Sequence, residues 1–185
     1  MFTGIIREIG FLKNKISSGK TTLDLEVLCN KIKPKKGDSI AVNGVCLTVI
    51  KKTKNSFWVN VVSETFNKTN LKLLHKNSPV NLEPALQIND TFDGHFVTGH
   101  IDNIGIVTKK NAHVLIISFP KNLSKFIAKK GSITINGVSL TVAKIQQNKL
   151  NVALIPFTYK NTNMGILKKD DKVNIEIDII ARYLI

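Results

Sequence analysis

Two histidines and a cysteine are the residues whose chemistry stands out in this sequence. His95 and His100 lie in the stretch Gly94-His-Phe-Val-Thr-Gly-His-Ile101, and Cys46 lies among small residues. If residues 94–101 form a strand, the odd spacing of the two imidazoles puts them on opposite faces, which argues against a shared metal ion. His100 is the best candidate for acid–base chemistry, because imidazole exchanges its proton near neutral pH. The alternatives are a structural role for His100 and a buried, apolar role for Cys46.

Cys46 belongs to a stretch that occurs twice in the chain. Asn43-Gly-Val-Cys-Leu-Thr-Val49 returns as Asn136-Gly-Val-Ser-Leu-Thr-Val142, so that Ser139 replaces Cys46. As a strand, each copy places valine, leucine and valine on one face and small polar side chains on the other. The apolar face suits a core, and the polar face suits a flat polar ligand. The alternative is a partly buried surface without a ligand, which the repetition of the same division makes less attractive.

The duplication extends over nearly the whole chain. Thr3-Gly4 corresponds to Thr98-Gly99, residues 65–71 correspond to 158–164, and Val80-Asn-Leu-Glu83 corresponds to Val173-Asn-Ile-Glu176. The two halves are therefore predicted to be copies of one domain. We place the first domain in residues 1–94 and the second in residues 95–185. The linker at 84–94 lacks strand alternation and ends in glycine, as a boundary should.

Strand signals dominate each half. Alternating apolar residues predict strands at 23–27 and 149–155, and Ile133-Thr-Ile135 leads into an Asn-Gly pair that is typical of a hairpin turn. Helical signals are short, at 69–74 and 120–128. About six short strands in each half, with little helix, predict an all-β chain. The predicted fold is two tandem, homologous, six-stranded antiparallel Greek-key barrels with short helices.

The two halves differ at four corresponding positions that bear on chemistry. The pairs are Ile5 and His100, Cys46 and Ser139, Ala85 and Asp178, and Glu64 and Phe157. If each half holds one ligand in the same place, these exchanges would let the two ligands be treated differently. Such a difference would suit a reaction between two copies of one molecule. Neutral divergence after duplication is the alternative explanation.

The composition adds a charge but no metal site. The chain has 27 Lys and Arg against 13 Asp and Glu, a net charge of +14, and 43% hydrophobic residues. Such a charge could attract nucleic acid, anionic lipid or an acidic substrate, but the lysines are scattered over both halves, which favours solvated loops. The two cysteines show no metal-ligand spacing. Because we find neither a signal-peptide pattern nor a membrane-length apolar run, we expect a soluble, cytoplasmic protein.

Taken together, the motifs resemble those of riboflavin synthases of the alpha-chain type. The resemblance rests on Met1-Phe-Thr-Gly-Ile-Ile6, the doubled Asn-Gly-Val stretch, residues 94–101 and Val173-Asn-Ile-Glu-Ile-Asp178, in order over nearly the whole chain. It implies dismutation of two molecules of 6,7-dimethyl-8-ribityllumazine by transfer of a four-carbon unit. The products are riboflavin and 5-amino-6-ribitylaminouracil, in the last step of riboflavin biosynthesis, without a metal or organic cofactor.

The same resemblance implies an assembly. One lumazine sits in each barrel, and the active site forms where the N-terminal barrel meets the C-terminal barrel of a neighbouring subunit. Subunits form a homotrimer through a C-terminal helix, and the family allows an association with lumazine synthase. The chain has only residues 179–185 after Asp178 for that helix.

The resemblance also carries over site residues by motif. Those implicated in catalysis are Ser39, Cys46 and His100. Contacts to one ligand are Gly4, Ile5, Ile6, Cys46, Leu47, Thr48, Asn60, Val61, Val62, Ser63, Glu64, Thr65, Gly99, His100 and Ile101. Contacts to the other are Lys130, Ser139, Leu140, Thr141, Ile155, Pro156, Phe157, Thr158 and Asp178. Phe157 departs from the family, which often has a polar residue there. We expect His100 to aid proton transfer and Ser39 or Cys46 to assist addition at the lumazine.

Two other functions compete with this interpretation. Non-catalytic carriers of lumazine or flavin have the same double barrel and typically keep one working site. The polar residues Ser139, Thr141 and Asp178 of the second half favour the enzyme. A nucleic-acid-binding barrel would need aromatic platforms beside a basic groove. The nine Phe, two Tyr and one Trp form no cluster beside a run of lysines, which disfavours this function.

Overall fold

Two β-barrels make up most of the chain, and the computed structural model describes residues 1–17, 21–111 and 113–184. The first barrel consists of β1 (Glu8–Ser17), β2 (Thr22–Leu28), β3 (Ser39–Val42), β4 (Val45–Lys52), β5 (Ser56–Val62) and β6 (Pro79–Pro84). The second consists of β7 (Asn103–Lys110), β8 (Val114–Ser118), β9 (Ser132–Ile135), β10 (Val138–Gln146), β11 (Lys149–Ala153) and β12 (Lys172–Ile177). The helices are α1 (Ser63–Lys68), α2 (Pro156–Asn161) and α3 (Ile179–Leu184), with 3₁₀ turns at Asn70–Leu73, Lys121–Phe126 and Asn163–Gly165.

Both barrels are closed, antiparallel and identical in strand order. The first runs β1-β2-β5-β4-β3-β6 around the ring, and the second runs β7-β8-β11-β10-β9-β12. Strands β3, β4 and β5 pair in succession and β6 returns beside β3, which is the Greek-key pattern. The predicted fold class is confirmed. The predicted division between residues 94 and 95 lies in the connection from β6 to β7 and stays a prediction.

Apolar side chains fill the inside of each barrel. Val45, Leu47 and Val49 of β4 point into the first core, whereas Cys46 and Thr48 between them are half-buried and exposed. The β10 strand repeats this pattern with Val138, Leu140 and Val142 in the second core. The predicted division of the doubled stretch into a core face and a polar face is therefore observed. The packed cores favour the outer faces of the barrels over their interiors as ligand sites.

Six buried asparagines join the two barrels: Asn43, Asn70, Asn81, Asn136, Asn163 and Asn174. Most hydrogen bonds between these side chains have an equivalent in which the first and second halves of the chain exchange roles. Asn70 Nδ2 donates to Asn136 Oδ1 at 3.0 Å, and Asn163 Nδ2 donates to Asn43 Oδ1 at 3.0 Å. Asn81 and Asn174 complete the set by donating to the backbone oxygens of Asn136 and Asn43, each at 2.9 Å. Because buried amides must keep their partners, this network fixes one arrangement of the barrels with approximate twofold symmetry.

The C-terminal helix α3 is short and leaves apolar side chains exposed. Ile180, Tyr183 and Leu184 are exposed, and Arg182 forms an ion pair with Asp102 at 2.7 Å. Ile185, the last residue of the segment expected to form the trimer helix, lies outside the described residues. Within the described ranges, no helix is both long and apolar enough to cross a membrane.

Candidate active site

The outer faces of two equivalent hairpins carry the predicted polar residues. In the first barrel, β3 and β4 pair so that Ser39 lies opposite Thr48 and Ala41 lies opposite Cys46. In the second, β9 and β10 pair so that Ser132 lies opposite Thr141 and Thr134 lies opposite Ser139. Asn43-Gly44 and Asn136-Gly137 form the turns, with positive φ at both residues of each pair.

Each outer face is covered by a segment that belongs to the other half of the chain. The Cys46 N–H donates to Gly99 O at 2.9 Å, and the Ser139 N–H donates to Gly4 O at 2.8 Å. The two segments pair at one isolated bridge between Phe2 and Val97, and the backbone N–H of His95 also donates to Thr3 O. Residues 94–101 were expected to form a strand with His95 and His100 on opposite faces. That expectation is wrong, because this stretch makes only the one bridge and otherwise crosses between the barrels.

These two crossing segments, one around Gly4 and one around Gly99, also determine which of the predicted contact residues lie on the same face. Gly4 approaches Ser139 of the second barrel, whereas the resemblance placed residues 4–6 with the first ligand. Ile6 packs against the second core, in agreement with Gly4. Gly99 and Ile101 lie against the first barrel, as grouped from the sequence. Sequence motifs could not reveal this exchange, because it depends on how the two halves dock.

Glycine is required where each segment crosses. Gly4 and Gly99 have φ of +79° and +80°, in the left-handed region that side chains other than glycine rarely adopt. A Cβ on Gly4 would lie 2.6 Å from Ser139 Cβ, and a Cβ on Gly99 would lie 2.6 Å from Cys46 Cβ. The two glycines therefore let the backbone lie directly on the candidate ligand faces.

Two buried carboxylates, which the sequence analysis did not assign to the site, hold these segments. Glu83 accepts hydrogen bonds from the N–H groups of Thr3 at 2.7 Å and Gly4 at 3.1 Å. Glu176 accepts the equivalent bonds from Thr98 at 2.7 Å and Gly99 at 3.0 Å. Burial raises the pKa of both carboxyls, while these hydrogen bonds act in the opposite direction. The sequence signal that could have indicated these two residues is the glutamate that recurs in the Val-Asn-(Leu/Ile)-Glu stretch of each half.

An open cleft of about 250 Å³ lies beside the first outer face. Cys46 and His100 both line it, which brings together two of the three residues expected in catalysis. Glu64, Thr65 and Lys68 of α1 supply another wall, and Glu64 pairs with Lys68 at 2.8 Å. The cleft thus offers an imidazole, a thiol and an ion pair around a space next to the start of β4.

Ser39 and several predicted contacts lie outside that lining. Ser39 is half-buried on the same outer face, opposite Thr48, so it continues the surface that Cys46 begins. Val61, Leu47 and Leu140 point into the barrel cores, which leaves only their backbone atoms for a ligand. Asn60 is half-buried and donates to Asp24 at 2.6 Å. Ser63 and Val62 are exposed at the start of α1.

The second outer face has a different chemical environment. Near it, a cleft of about 480 Å³ lies between Ile6 of the crossing segment and Phe157 of α2, and its lining includes Arg7, Glu8, Lys31 and Lys160 but no residue of β9 or β10. Ile155 and Pro156 are exposed at the start of α2, Thr158 is half-buried, and Asp178 accepts a hydrogen bond from the Ile180 N–H at 3.0 Å. Lys130 is exposed with φ of +69°. Ile5, the counterpart of His100, is half-buried and apolar.

His95 is buried beside Ser139, in contrast to the exposed His100. Its Nδ1 lies 2.7 Å from Ser139 Oγ, and its Nε2 lies 3.1 Å from Thr134 Oγ1. Burial lowers the pKa of His95, with Asp178 acting in the opposite direction, so the neutral imidazole is favoured. Within the described parts of the chain, no group of three or more His, Cys, Asp or Glu residues could hold a metal ion.

Comparison with known proteins identifies both halves. The family model described as the lumazine binding domain matches residues 3–85 and again residues 98–178. Riboflavin synthases of Bacillus subtilis and Actinobacillus pleuropneumoniae are each 43% identical over 100% of this chain and 88% of their own length. A crystal structure of LumP complexed with 6,7-dimethyl-8-(1'-D-ribityl) lumazine superposes with a TM-score of 0.84 and 27% identity, covering 96% of this chain and 99% of that one.

These similarities run through both barrels and leave no large part of the chain unmatched. The two matches of the domain model correspond to the two barrels of the structure, each with its crossing segment. The relatives are matched along the full length of this chain. The resemblance stated from the motifs is therefore confirmed. The chain belongs to the riboflavin synthase family and carries one lumazine-binding domain in each half.

Proposed function

We propose that the protein converts two molecules of 6,7-dimethyl-8-ribityllumazine into riboflavin and 5-amino-6-ribitylaminouracil. The observation that carries this proposal is the pair of outer faces, each with polar side chains on a hairpin and a covering glycine segment. A four-carbon unit leaves one lumazine and joins the other, so the atoms of the two substrates all appear in the two products. The reaction therefore consumes no oxidant or reductant.

The residues divide between binding and chemistry. A flat bicyclic ring lies on each outer face, and its ribityl hydroxyls replace their water partners with hydroxyls such as Thr48, Thr141 and Thr158. His100, which shares the first cleft with Cys46, assists removal of a proton from the acidic 7-methyl group. Ser39 or Cys46 assists addition at the neighbouring lumazine. Holding two rings face to face supplies most of the remaining rate enhancement.

The two rings come from different subunits in this proposal. Phe157, Ile155 and Val62 are exposed next to the candidate faces, as expected of surfaces that a neighbouring barrel covers. The exposed apolar residues of α3 support a homotrimer, which light scattering of the purified protein would test. We place the enzyme in the cytoplasm, and an association with lumazine synthase belongs to the same proposal.

One assay tests the reaction directly. Purified protein is dialysed against a chelator, incubated with 6,7-dimethyl-8-ribityllumazine, and followed by riboflavin fluorescence. We expect one riboflavin for every two lumazines consumed. Intact protein that binds the substrate and forms no riboflavin would refute the enzymatic function.

A carrier of lumazine or flavin is the second candidate, since LumP shares the fold and was solved with a lumazine. A carrier would bind one ligand per chain and release no product. The polar residues on the outer faces of both barrels favour two ligand sites in each chain. Titration calorimetry with riboflavin separates these cases by stoichiometry.

A further inference from the structure

The second candidate face contains a buried polar cluster that the first face lacks. His95, Ser139 and Thr134 are joined by hydrogen bonds of 2.7 and 3.1 Å to the two ring nitrogens. The residues of the first half that correspond to Thr134, Ser139 and Asp178 are Ala41, Cys46 and Ala85. These three pack with Phe2 and Val97 in an apolar cluster.

His95 is held in place by the backbone on one side and by Thr134 on the other. The backbone N–H of His95 donates to Thr3 O at 3.2 Å. Gly94 precedes it with φ of +82°, and a Cβ there would lie 2.2 Å from Thr3 O and 3.3 Å from Ser139 Cβ. The glycine therefore allows the close approach that brings the imidazole to Ser139. His95 is 8% exposed and Thr134 is 1% exposed, so water does not compete freely for their hydrogen bonds.

The burial of Thr134 determines which ring nitrogen carries the proton. A neutral imidazole donates from one nitrogen and accepts at the other, and a hydroxyl has a single proton to donate. Among the described residues, the Thr134 hydroxyl hydrogen-bonds only to His95. If Nε2 carried the proton, the buried Thr134 O–H would have no acceptor, which is strongly disfavoured. Thr134 therefore donates to Nε2, and the proton of the ring is on Nδ1.

This tautomer fixes the role of Ser139. Nδ1–H donates to Ser139 Oγ, so the serine keeps its own proton free to donate. Ser139 is half-buried on the outer face, beside the crossing residue Gly4. We infer that His95 is a positioning residue that makes Ser139 a hydrogen-bond donor to an acceptor atom of the second ligand. The acceptor is a carbonyl oxygen or ring nitrogen of the flat ring, or an oxygen of its ribityl chain.

The inference deepens the proposed function, on which it rests for the use of the β10 face as a ligand site. The oriented Ser139 hydroxyl gives the two sites different hydrogen-bond donors. The first face offers a thiol, which is a weak hydrogen-bond donor, where the second offers an oriented hydroxyl. The two bound molecules would thus be held differently although the faces have the same fold.

Two substitutions of His95 separate this role from a structural one. His95→Asn can keep an N–H near the position of Nδ1 and so preserve the contact to Ser139. His95→Gln reaches toward Thr134 and loses the contact to Ser139. Riboflavin is titrated by calorimetry into each variant, because riboflavin alone cannot react and so reports binding only. The site that Ser139→Ala weakens is taken as the site on the second face. His75→Asn, a change at an exposed histidine, is the control that leaves both affinities unchanged.

We expect His95→Gln to weaken one of two riboflavin sites about tenfold and His95→Asn to weaken it about threefold or less. In the Ser139→Ala background, His95→Gln should cause no further loss, since His95 acts through that hydroxyl. Thr134→Val leaves His95 in place but removes the group that fixes its tautomer. It should weaken the same site and have no effect when Ser139 is alanine.

Several results would overturn the inference. Equal losses in the Asn and Gln variants, additive losses with Ser139→Ala, or equal weakening of both sites would each show a structural role. Wild-type protein that binds no riboflavin would refute the proposed function together with this inference. Two wild-type sites that do not respond to His95→Gln would refute the inference alone.

Discussion

Replacing Gly99 by alanine tests whether the crossing segment lies on the candidate face as the structure shows. Gly99 has φ of +80°, and the new methyl group would meet Cys46 Cβ at 2.6 Å and Cys46 N at 2.8 Å. The left-handed conformation costs alanine roughly 1–2 kcal/mol. Overpacking against backbone that cannot move freely adds roughly 1–3 kcal/mol. We therefore expect the free energy of unfolding to fall by about 2–5 kcal/mol in total.

Gly37 provides a matched control for that experiment. Its φ is +94°, and a Cβ there would meet nothing within 4 Å. Gly37→Ala should therefore cost only the conformational part, roughly 1–2 kcal/mol. Urea unfolding of both variants measures the difference, and riboflavin titration should show a weakened first site only in Gly99→Ala. Equal destabilisation by the two substitutions, with unchanged riboflavin binding, would show that Gly99 does not lie against Cys46.

Three further predictions concern other parts of the molecule. Burial lowers the pKa of His95 in the folded protein below its ordinary value of 6.5. On acidification the imidazole is therefore protonated in the unfolded chain at a higher pH than in the folded protein, and the free energy of unfolding decreases as the pH falls through 6.5 toward the folded pKa. Urea unfolding at pH 7.5 and 5.5 should show a loss that is smaller in His95→Asn; an equal loss would contradict burial of a neutral ring. Asn174→Ala removes the Nδ2 donor of the buried Asn43 O and Asn70 Oδ1 and should lower the free energy of unfolding by about 2–5 kcal/mol, against less than about 0.5 kcal/mol for exposed Asn30→Ala. A cost of Asn174→Ala close to that of the control would show that the network does not hold the barrels. His100→Ala should lower kcat about a hundredfold or more, while the free energy of unfolding changes by less than about 0.5 kcal/mol because His100 is exposed. Unchanged turnover would remove His100 from the mechanism.

Much of the fold could be predicted because local patterns determine it. Alternation along 45–49 and 138–142 gives the core and outer faces, and the Asn-Gly pairs give the turns. The duplication gives two barrels in place of one larger domain. The short helices α1 and α2 were not predicted, since each has only six residues and no buried side chain to create a period.

The contacts between the halves could not be predicted, since sequence periodicity within one repeat contains no information about docking. Asn43, Asn81 and Asn174 recur in the repeats, but a recurring polar residue does not reveal its partner. The contact of His95 with Ser139 was not predictable for the same reason. His95 lies beside Ser139 because Gly94 allows the chain to cross, and not because it alternates with His100 on a strand.

The exchange of crossing segments has a consequence for synthesis on the ribosome. The first barrel is complete at Pro84, but the segment that covers its outer face, around Gly99, has not yet been made. The second barrel closes at β12, long after its covering segment around Gly4 has been translated. Domains fold from the amino terminus as the chain emerges. The first candidate face is therefore left open in the nascent chain, whereas the second can be covered as soon as its barrel closes.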